Sequence, residues 1–99
     1  MTESSQIVRR YVVKGRVQGV GFRWYVLREA SALNLRGWVR NTPEGHVELL
    51  AAGSEEQQRA LVATLQRGSR GSRVDRIEQT DRPAEESNDL QAFEIEGAW

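Results

Sequence analysis

The sequence predicts an α+β fold in which two helices pack on one face of an antiparallel sheet. Three observations support this prediction. The spacing of apolar residues changes along the chain between that of strands and that of helices, and a short turn joins two strand patterns in the middle. The length of 99 residues also suits one compact domain. We therefore expect residues 1–99 to form a single domain, with residues 1–6 as a frayed polar tail.

The first half of the chain contains patterns for a strand, a helix and a hairpin. The segment Ile7–Lys14 is rich in β-branched residues and predicts a strand. A helix follows and ends near Asn34, because apolar residues recur at helical spacing at Phe22, Val26, Ala30 and Leu33. Strands are then predicted at Leu35–Asn41 and His46–Ala51. The residues between them, Thr42–Gly45, have the order that a type I turn prefers, so these two strands should form a hairpin.

The second half repeats the order of strand and helix. Ser54 and Gln57 form the pattern of a capping box, which opens a helix that ends at Gly68. A strand is predicted at Val74–Thr80, and a short final strand around Phe93 and Ile95. Two strand–helix–strand units with right-handed crossovers give a ferredoxin-like α/β sandwich, βαββαβ with an additional C-terminal strand. This fold carries many functions, so it does not identify one.

Composition excludes several classes of chemistry. The chain has no cysteine, which rules out disulfides, thiolate nucleophiles and cysteine-bound zinc. The N-terminal residues do not resemble a signal peptide and no apolar run is long enough for a bilayer, so we expect a cytoplasmic protein without membrane contact. The net charge is zero, but basic residues concentrate in the first half, at Arg9, Arg10, Lys14, Arg16, Arg23, Arg28, Arg36 and Arg40. Such a distribution can present a positive surface to an anion.

A glycine-rich segment lies between the first strand and the first helix. It runs from Gly15 to Arg23 with the sequence GRVQGVGFR. Glycines permit positive φ values, so successive N–H groups can converge on one point, and the free N–H groups of a helix N-terminus add to them. Arg23 falls in the first helical turn, where a cation opposes the helix dipole unless an anion compensates it. The segment therefore predicts a site for a tetrahedral oxyanion, although a plain turn would also explain three glycines.

A second segment, Gly37–Asn41, ends at the hairpin turn. In a ferredoxin-like sheet, the end of the second strand need not lie far from the loop after the first strand. Asn41 could then face the predicted anion site. Taken by itself, the segment favours an ordinary hairpin that has an exposed asparagine at the end of its strand.

The two segments together resemble the two sequence signatures of the acylphosphatase family. The first signature corresponds to Gly15–Arg23, and the second to Gly37–Asn41 followed by Gly45, Val47 and Gly53. The resemblance implies that Arg23 binds the phosphoryl group and that Asn41 positions the attacking water. It also implies that the loop donates main-chain N–H groups to phosphate, at Arg16, Val17, Gln18, Gly19, Val20, Gly21 and Phe22. Gly21 stands at a position that varies in this family, where it should affect loop stiffness.

The resemblance implies hydrolysis of acyl phosphates to a carboxylate and inorganic phosphate. The carboxylate is a good leaving group, so positioning and charge stabilisation suffice, and we expect neither a metal ion nor a cofactor. Inorganic phosphate should act as product and inhibitor, and a monomer is expected. The sequence does not identify the physiological acyl phosphate.

The sequence allows two other interpretations. The same loop could bind phosphate or an acyl phosphate without hydrolysing it, which turnover would test. RNA-recognition motifs have the same ferredoxin-like arrangement, but binding of RNA is disfavoured here. The third strand has no aromatic residues for base stacking, and the net charge is zero. His46 is expected to be a solvated hairpin residue rather than a catalyst, and Trp24, Trp38 and Trp99 to be packing or surface aromatics.

Overall fold

The computed structural model describes residues 6–97. Its five strands, labelled β1–β5 in chain order, are Ile7–Arg16, Arg36–Asn41, Val47–Gly53, Arg73–Arg82 and Phe93–Ile95. The helices are α1, Phe22–Ala32, and α2, Glu55–Arg67, and a 3₁₀ turn covers Ala84–Ser87. The predicted order of elements is thus present. The predicted frayed tail falls largely on residues 1–5, which lie outside the described residues.

The five strands form one sheet in the order β4-β1-β3-β2-β5. The first four strands pair antiparallel, with Arg16 opposite Arg73 and Asn41 opposite Val47. The last pair differs from the prediction of an antiparallel sheet, because β5 runs parallel to β2, with Gly37 opposite Phe93. The cause is the connection after β4, which carries the chain from one edge of the sheet to the other edge.

The main core lies between the sheet and both helices. It contains the helix-facing side chains of the sheet and the apolar faces of α1 and α2, among them Tyr11, Val13, Phe22, Val26, Val39, Leu49, Leu61 and Leu65. The Tyr25 hydroxyl donates to the main-chain oxygen of Thr64 and so joins the two helices. A smaller cluster on the opposite face unites Val8, Leu50 and Ala52 with Trp38 and Leu90. The predicted ferredoxin-like sandwich with both helices on one face is therefore confirmed.

Local signals in the sequence account for several element ends. The side chain of Ser54 accepts from the Gln57 N–H, and the Gln57 side chain accepts from the Ser54 N–H, which is the predicted capping box. Asn34 adopts φ +62° after α1, as expected for a left-handed stop. The hairpin turn is closed by hydrogen bonds from the Gly45 N–H to the Thr42 oxygen and from the Thr42 N–H to the His46 oxygen.

Three strands run further than their sequence patterns indicate. β1 extends to Arg16, β3 to Gly53 and β4 to Arg82, because each continues to pair with its neighbour beyond the apolar residues. No helix within residues 6–97 is long and apolar enough to cross a membrane.

Candidate active site

The segment between β1 and α1 is held at both ends by apolar side chains. Val17 and Phe22 are each only 1% exposed and belong to the main core. Between them, Gly19 and Gly21 are exposed and adopt φ +76° and +74°. A side chain at either position would meet no atom within 4 Å, so left-handed backbone, not crowding, explains the glycines. We call residues 16–22 the glycine loop.

The glycine loop presents main-chain donors that have no internal partner. None of the N–H groups of residues 18–24 makes a close, well-aligned hydrogen bond to a main-chain oxygen within residues 6–97. Gly21 is the N-cap of α1 and no side chain caps the helix. Unpaired N–H groups at a helix N-terminus form a natural site for an anion, and left-handed residues in the preceding loop bring further N–H groups to it. The local geometry is therefore suitable for binding an oxyanion.

Arg23 lies in the first turn of α1, directly after the glycine loop. The residue is partly buried, and no carboxylate within residues 6–97 comes within 4.0 Å of its guanidinium. The first turn of α1 contains no acidic residue that could compensate the positive end of the helix. A guanidinium here adds to the positive potential of the helix end, which a bound anion would relieve.

Asn41 is the last residue of β2 and lies on the helix-facing side of the sheet, in line with Val39. Its side-chain oxygen Oδ1 is buried and accepts no hydrogen bond from any group in the described part of the chain. A buried acceptor without a donor costs about 1–3 kcal/mol. Such an atom leaves an acceptor available to a small donor, such as a water molecule.

Gln18 connects the glycine loop to the hairpin that follows Asn41. Its side-chain nitrogen donates to the main-chain oxygens of Thr42 and His46, at 2.9 and 2.8 Å. The sequence predicts only a main-chain role for Gln18. Its side chain stands next to a glycine, and nothing in the sequence indicates that it bonds to the hairpin. The structure thus brings the loop to the end of β2 that carries Asn41.

The structure describes two of the three tryptophans and the single histidine. Trp24 is 67% exposed, and the Arg40 guanidinium lies 4.5 Å from the centre of the half-buried Trp38 ring, so these two are a surface and a packing residue. Trp99 lies outside the described residues. The His46 main chain closes the hairpin, and within residues 6–97 its side chain makes no hydrogen bond.

A surface hollow of about 290 Å³ lies elsewhere, between α2 and β4, and is lined by residues that include Val62, Gln66 and Ile77. It contains no residue of the glycine loop and not Asn41. We assign the site by its unpaired donors and not by cavity size, because an oxyanion needs directed N–H groups more than enclosure. No three metal-binding side chains of His, Asp or Glu cluster in the structure from Gln6 to Gly97.

Comparison with known proteins decides the family. The sequence profile of the acylphosphatase family matches residues 9–95. The chain belongs to the acylphosphatase family. The acylphosphatase of Koribacter versatilis is 52% identical over 99 residues, covering 100% of this chain and 87% of that protein. Acylphosphatases hydrolyse acyl phosphates, and the chain is an enzyme of this family.

Solved structures show the same relationship. The crystal structure of acylphosphatase from Bacillus subtilis matches with a TM-score of 0.86 and 38% identity, covering 92% of this chain and 99% of that chain. The fold also matches part of a larger protein, full-length HypF in a phosphate- and nucleotide-bound form. That match has a TM-score of 0.82 and 25% identity, and covers 97% of this chain but only 12% of HypF.

Proposed function

We propose that the chain hydrolyses the carboxyl–phosphate bond of acyl phosphates without a metal ion, by direct attack of a water molecule on phosphorus. In this proposal, Arg23 and the N–H groups of the glycine loop hold the phosphoryl oxygens. The side chain of Asn41 holds the water. The observation that carries the proposal is that two neighbouring segments both have unpaired polar groups. Within residues 6–97, the loop has N–H donors without a partner, and Asn41 has a buried acceptor without a partner.

The phosphoryl group would be held by charge-assisted hydrogen bonds. Each hydrogen bond to a charged group contributes about 1.5–3 kcal/mol, and the helix N-terminus adds about 0.3–1 kcal/mol. The planar guanidinium of Arg23 can donate two parallel bonds to phosphate oxygens. Donors of this kind stabilise charge on the transferring phosphoryl group, which a metal ion does in other phosphoryl-transfer enzymes.

The water would be oriented by Asn41 and not deprotonated by it. The amide oxygen accepts a hydrogen bond from one O–H of the water, which leaves an oxygen lone pair to attack phosphorus. The bond between phosphorus and the acyl oxygen breaks, and the electron pair leaves with the carboxylate. Because an amide is not a base at neutral pH, the proton of the water passes to a phosphoryl oxygen, and inorganic phosphate is released. This route predicts a shallow pH dependence across the histidine range, near pH 6.5.

The decisive experiment is hydrolysis of benzoyl phosphate in excess chelator by the wild type, Arg23→Gln and Asn41→Ala. We expect rapid turnover by the wild type and a loss of about 10²–10³ in kcat or more for Arg23→Gln. Asn41→Ala should lower kcat more than it weakens inhibition by inorganic phosphate. Arg28→Gln and Asn88→Ala are matched controls at exposed positions outside the site, and both should retain wild-type kinetics.

A second candidate is a module that binds phosphate without hydrolysing it. The observation that favours it is the match to 12% of HypF, where the same fold is part of a larger chain in a phosphate-bound form. A folded wild type that binds inorganic phosphate but does not turn over benzoyl phosphate would support this candidate and contradict the first.

The remaining expectations concern partners and location. We propose a cytoplasmic monomer that inorganic phosphate inhibits competitively, because the same donors would hold the substrate's phosphoryl group and the free product. Sedimentation equilibrium measures the oligomeric state, and a dimer would contradict the proposed monomer. For inhibition, a phosphate-dependent change in kcat with constant KM would contradict competition.

A further inference from the structure

Most basic side chains of the protein are neutralised by a neighbour. Nine lysines and arginines have a carboxylate within 4.0 Å, namely Arg9, Arg10, Lys14, Arg28, Arg40, Arg59, Arg73, Arg76 and Arg82. Arg36 instead donates to the main-chain oxygens of Ser87 and Leu90 and to the Gln6 side chain. Within residues 6–97, four arginines have neither kind of partner: Arg16, Arg23, Arg67 and Arg70.

The topology places these four arginines at one end of the sheet. Arg16 ends β1 and Arg23 begins α1, so both lie where β1 leaves the sheet. Arg16 is opposite Arg73, the first residue of β4. The chain that leads to Arg73 contains the other two, since Arg67 ends α2 and Arg70 lies in the connection between α2 and β4. The unpaired arginines therefore gather at the end that carries the glycine loop.

The connection between α2 and β4 repeats one short motif. Its sequence is RGSRGSR from Arg67 to Arg73, and both Arg67 and Arg70 are exposed. Gly68 and Gly71 adopt φ +73° and +85°, so the glycine backbone turns the chain and the side chains of Arg67 and Arg70 are not needed for the turn. A cation at the C-terminus of α2 is favourable for the helix dipole and explains Arg67 in part. Arg70 has no such structural explanation.

One phosphoryl group does not require this number of arginines. The glycine loop and Arg23 already supply enough donors for the three oxygens of a transferring phosphoryl group. Neighbouring antiparallel residues such as Arg16 and Arg73 lie about 5 Å apart, and Arg70 is three residues, at most about 10 Å of chain, before Arg73. Flexible arginine side chains at these positions can reach an anion beside the loop. We call Arg16, Arg67 and Arg70 the outer arginines.

We propose that the outer arginines form a second anion subsite, so that the preferred substrates are acyl phosphates whose acyl part carries another carboxylate or phosphate group. This inference rests on the proposed function of the glycine loop. A nucleic acid is a poorer fit to the same patch. Asp75, which pairs with Arg73 at the start of β4, lies beside it and would repel a continuous row of phosphates.

Matched synthetic substrates test the subsite. Benzoyl phosphate, 4-carboxybenzoyl phosphate and 4-(phosphonooxy)benzoyl phosphate share one leaving-group chemistry and differ in the additional charge. We expect the two charged substrates to have about three- to tenfold higher kcat/KM at low salt, through KM, which is the gain that two exposed ion pairs provide. If kcat/KM rises more for the phosphate-bearing substrate, the second anion is a phosphate. If it rises more for the carboxylate-bearing substrate, the second anion is a carboxylate. At about 1 M salt the preference should disappear, because the screening length falls to about 3 Å.

The double variant Arg67→Gln, Arg70→Gln should lose the preference and leave kcat/KM for benzoyl phosphate unchanged. The control Arg28→Gln, Arg59→Gln removes two exposed arginines elsewhere and should keep the preference. An equal decrease for all three substrates would mean general attraction of anions and would overturn the subsite. Equal kcat/KM values for the three substrates with the wild type would overturn it as well.

Binding of stable analogues separates this inference from the proposed function. Benzylphosphonate and 4-carboxybenzylphosphonate differ by the same additional carboxylate and have a C–P bond, which water does not cleave, in place of the acyl phosphate link. Calorimetry should show tighter binding of the carboxylated analogue to the wild type and no difference with the double variant. Equal binding by the wild type contradicts the subsite even if hydrolysis is rapid. Tighter binding of the carboxylated analogue supports the subsite even if none of the three acyl phosphates is hydrolysed.

Discussion

The side-chain nitrogen of Gln18 lies 2.9 Å from the main-chain oxygen of Thr42, the residue that follows Asn41. The same nitrogen donates to the main-chain oxygen of His46, so both of its hydrogens are used by the hairpin. Gln18 therefore fixes the distance between the glycine loop, which would hold the phosphoryl group, and the strand end that would hold the water.

Replacing Gln18 by leucine should separate binding from turnover. The loop N–H groups and Arg23 remain, so KM should change little. The water would no longer be aligned with phosphorus, and such a misplacement lowers kcat by about 10–100-fold. Steady-state kinetics with benzoyl phosphate measure both constants. Gln18→Glu should not rescue kcat, because a carboxylate accepts hydrogen bonds but cannot donate to carbonyl oxygens. Gln66→Leu, at an exposed position on α2, is the control, and an unchanged kcat in Gln18→Leu would refute the positioning role.

Two glycines with positive φ should respond differently to alanine. At Gly21 a Cβ meets no atom within 4 Å, so Gly21→Ala carries only the cost of left-handed backbone, about 1–2 kcal/mol. At Gly37, φ is +154° and a Cβ would lie 1.8 Å from the Leu50 main-chain oxygen, which requires β2 and β3 to move apart. Gly37→Ala should therefore lower the free energy of unfolding at least twice as much. Urea denaturation of both variants measures the difference, and equal losses would contradict this account.

Glu48 should stabilise the protein in a pH-dependent way. Burial acts to raise the pKa of its carboxyl, but hydrogen bonds from Arg10 and Arg40 outweigh burial and hold the pKa below its ordinary value. A lowered pKa in the folded state means that the carboxylate stabilises the fold above pH 4.5, the ordinary value, and loses this effect as the pH falls further. Glu48→Gln should lower the free energy of unfolding by about 1–3 kcal/mol at pH 7.

The pH series gives the control for Glu48. The difference between wild type and Glu48→Gln should shrink as the pH falls below 4.5, whereas Glu94→Gln, at an exposed position on β5, should match the wild type at every pH. A Glu48→Gln difference that is constant with pH would show that packing, not charge, is responsible.

Tyr11 should make the stability of the fold decrease at high pH, whereas Glu48 makes it decrease at low pH. Burial raises the pKa of its phenol to about 12, although the Arg9 charge acts in the other direction. The raised pKa means that the neutral phenol stabilises the fold fully below about pH 10 and that this effect is lost as the pH rises through 12. Tyr11→Phe should lack this loss. It should also be about 1–3 kcal/mol less stable at pH 7, since Gln58 Oε1 would lose its donor. Phenolate absorbance during alkaline titration checks the pKa, and ionisation of Tyr11 near pH 10 would contradict the burial argument.

Much of the fold could be predicted because its signals are local. Asn34, the Ser54–Gln57 capping box and the turn before Gly45 each act within a few residues, and all are present in the structure. Apolar spacing also located the core face of both helices. These features depend on short-range sterics and hydrogen bonds, which the sequence displays directly.

The features that the sequence did not reveal depend on distant partners. The direction of β5 is set by the connection from β4 across the sheet, and the extent of β4 by its pairing with β1. For the candidate site, the sequence predicts roles for the glycine loop, Arg23 and Asn41, whereas the target of the Gln18 side chain emerges only when loop and hairpin are brought together. The sequence likewise does not show that Arg70 has no carboxylate nearby within residues 6–97, because this depends on where all the neighbouring side chains lie.

The position of β1 within the sheet constrains how the chain assembles during synthesis. β1 pairs with β3 on one side and with β4 on the other, where Val8 is opposite Arg82. The ribosome therefore produces the first strand early but completes its second partner only after most of the chain has emerged. Contacts between residues so far apart in sequence close slowly. Until then one edge of β1 remains open, and the glycine loop at its end lacks the neighbouring strand that carries Arg73.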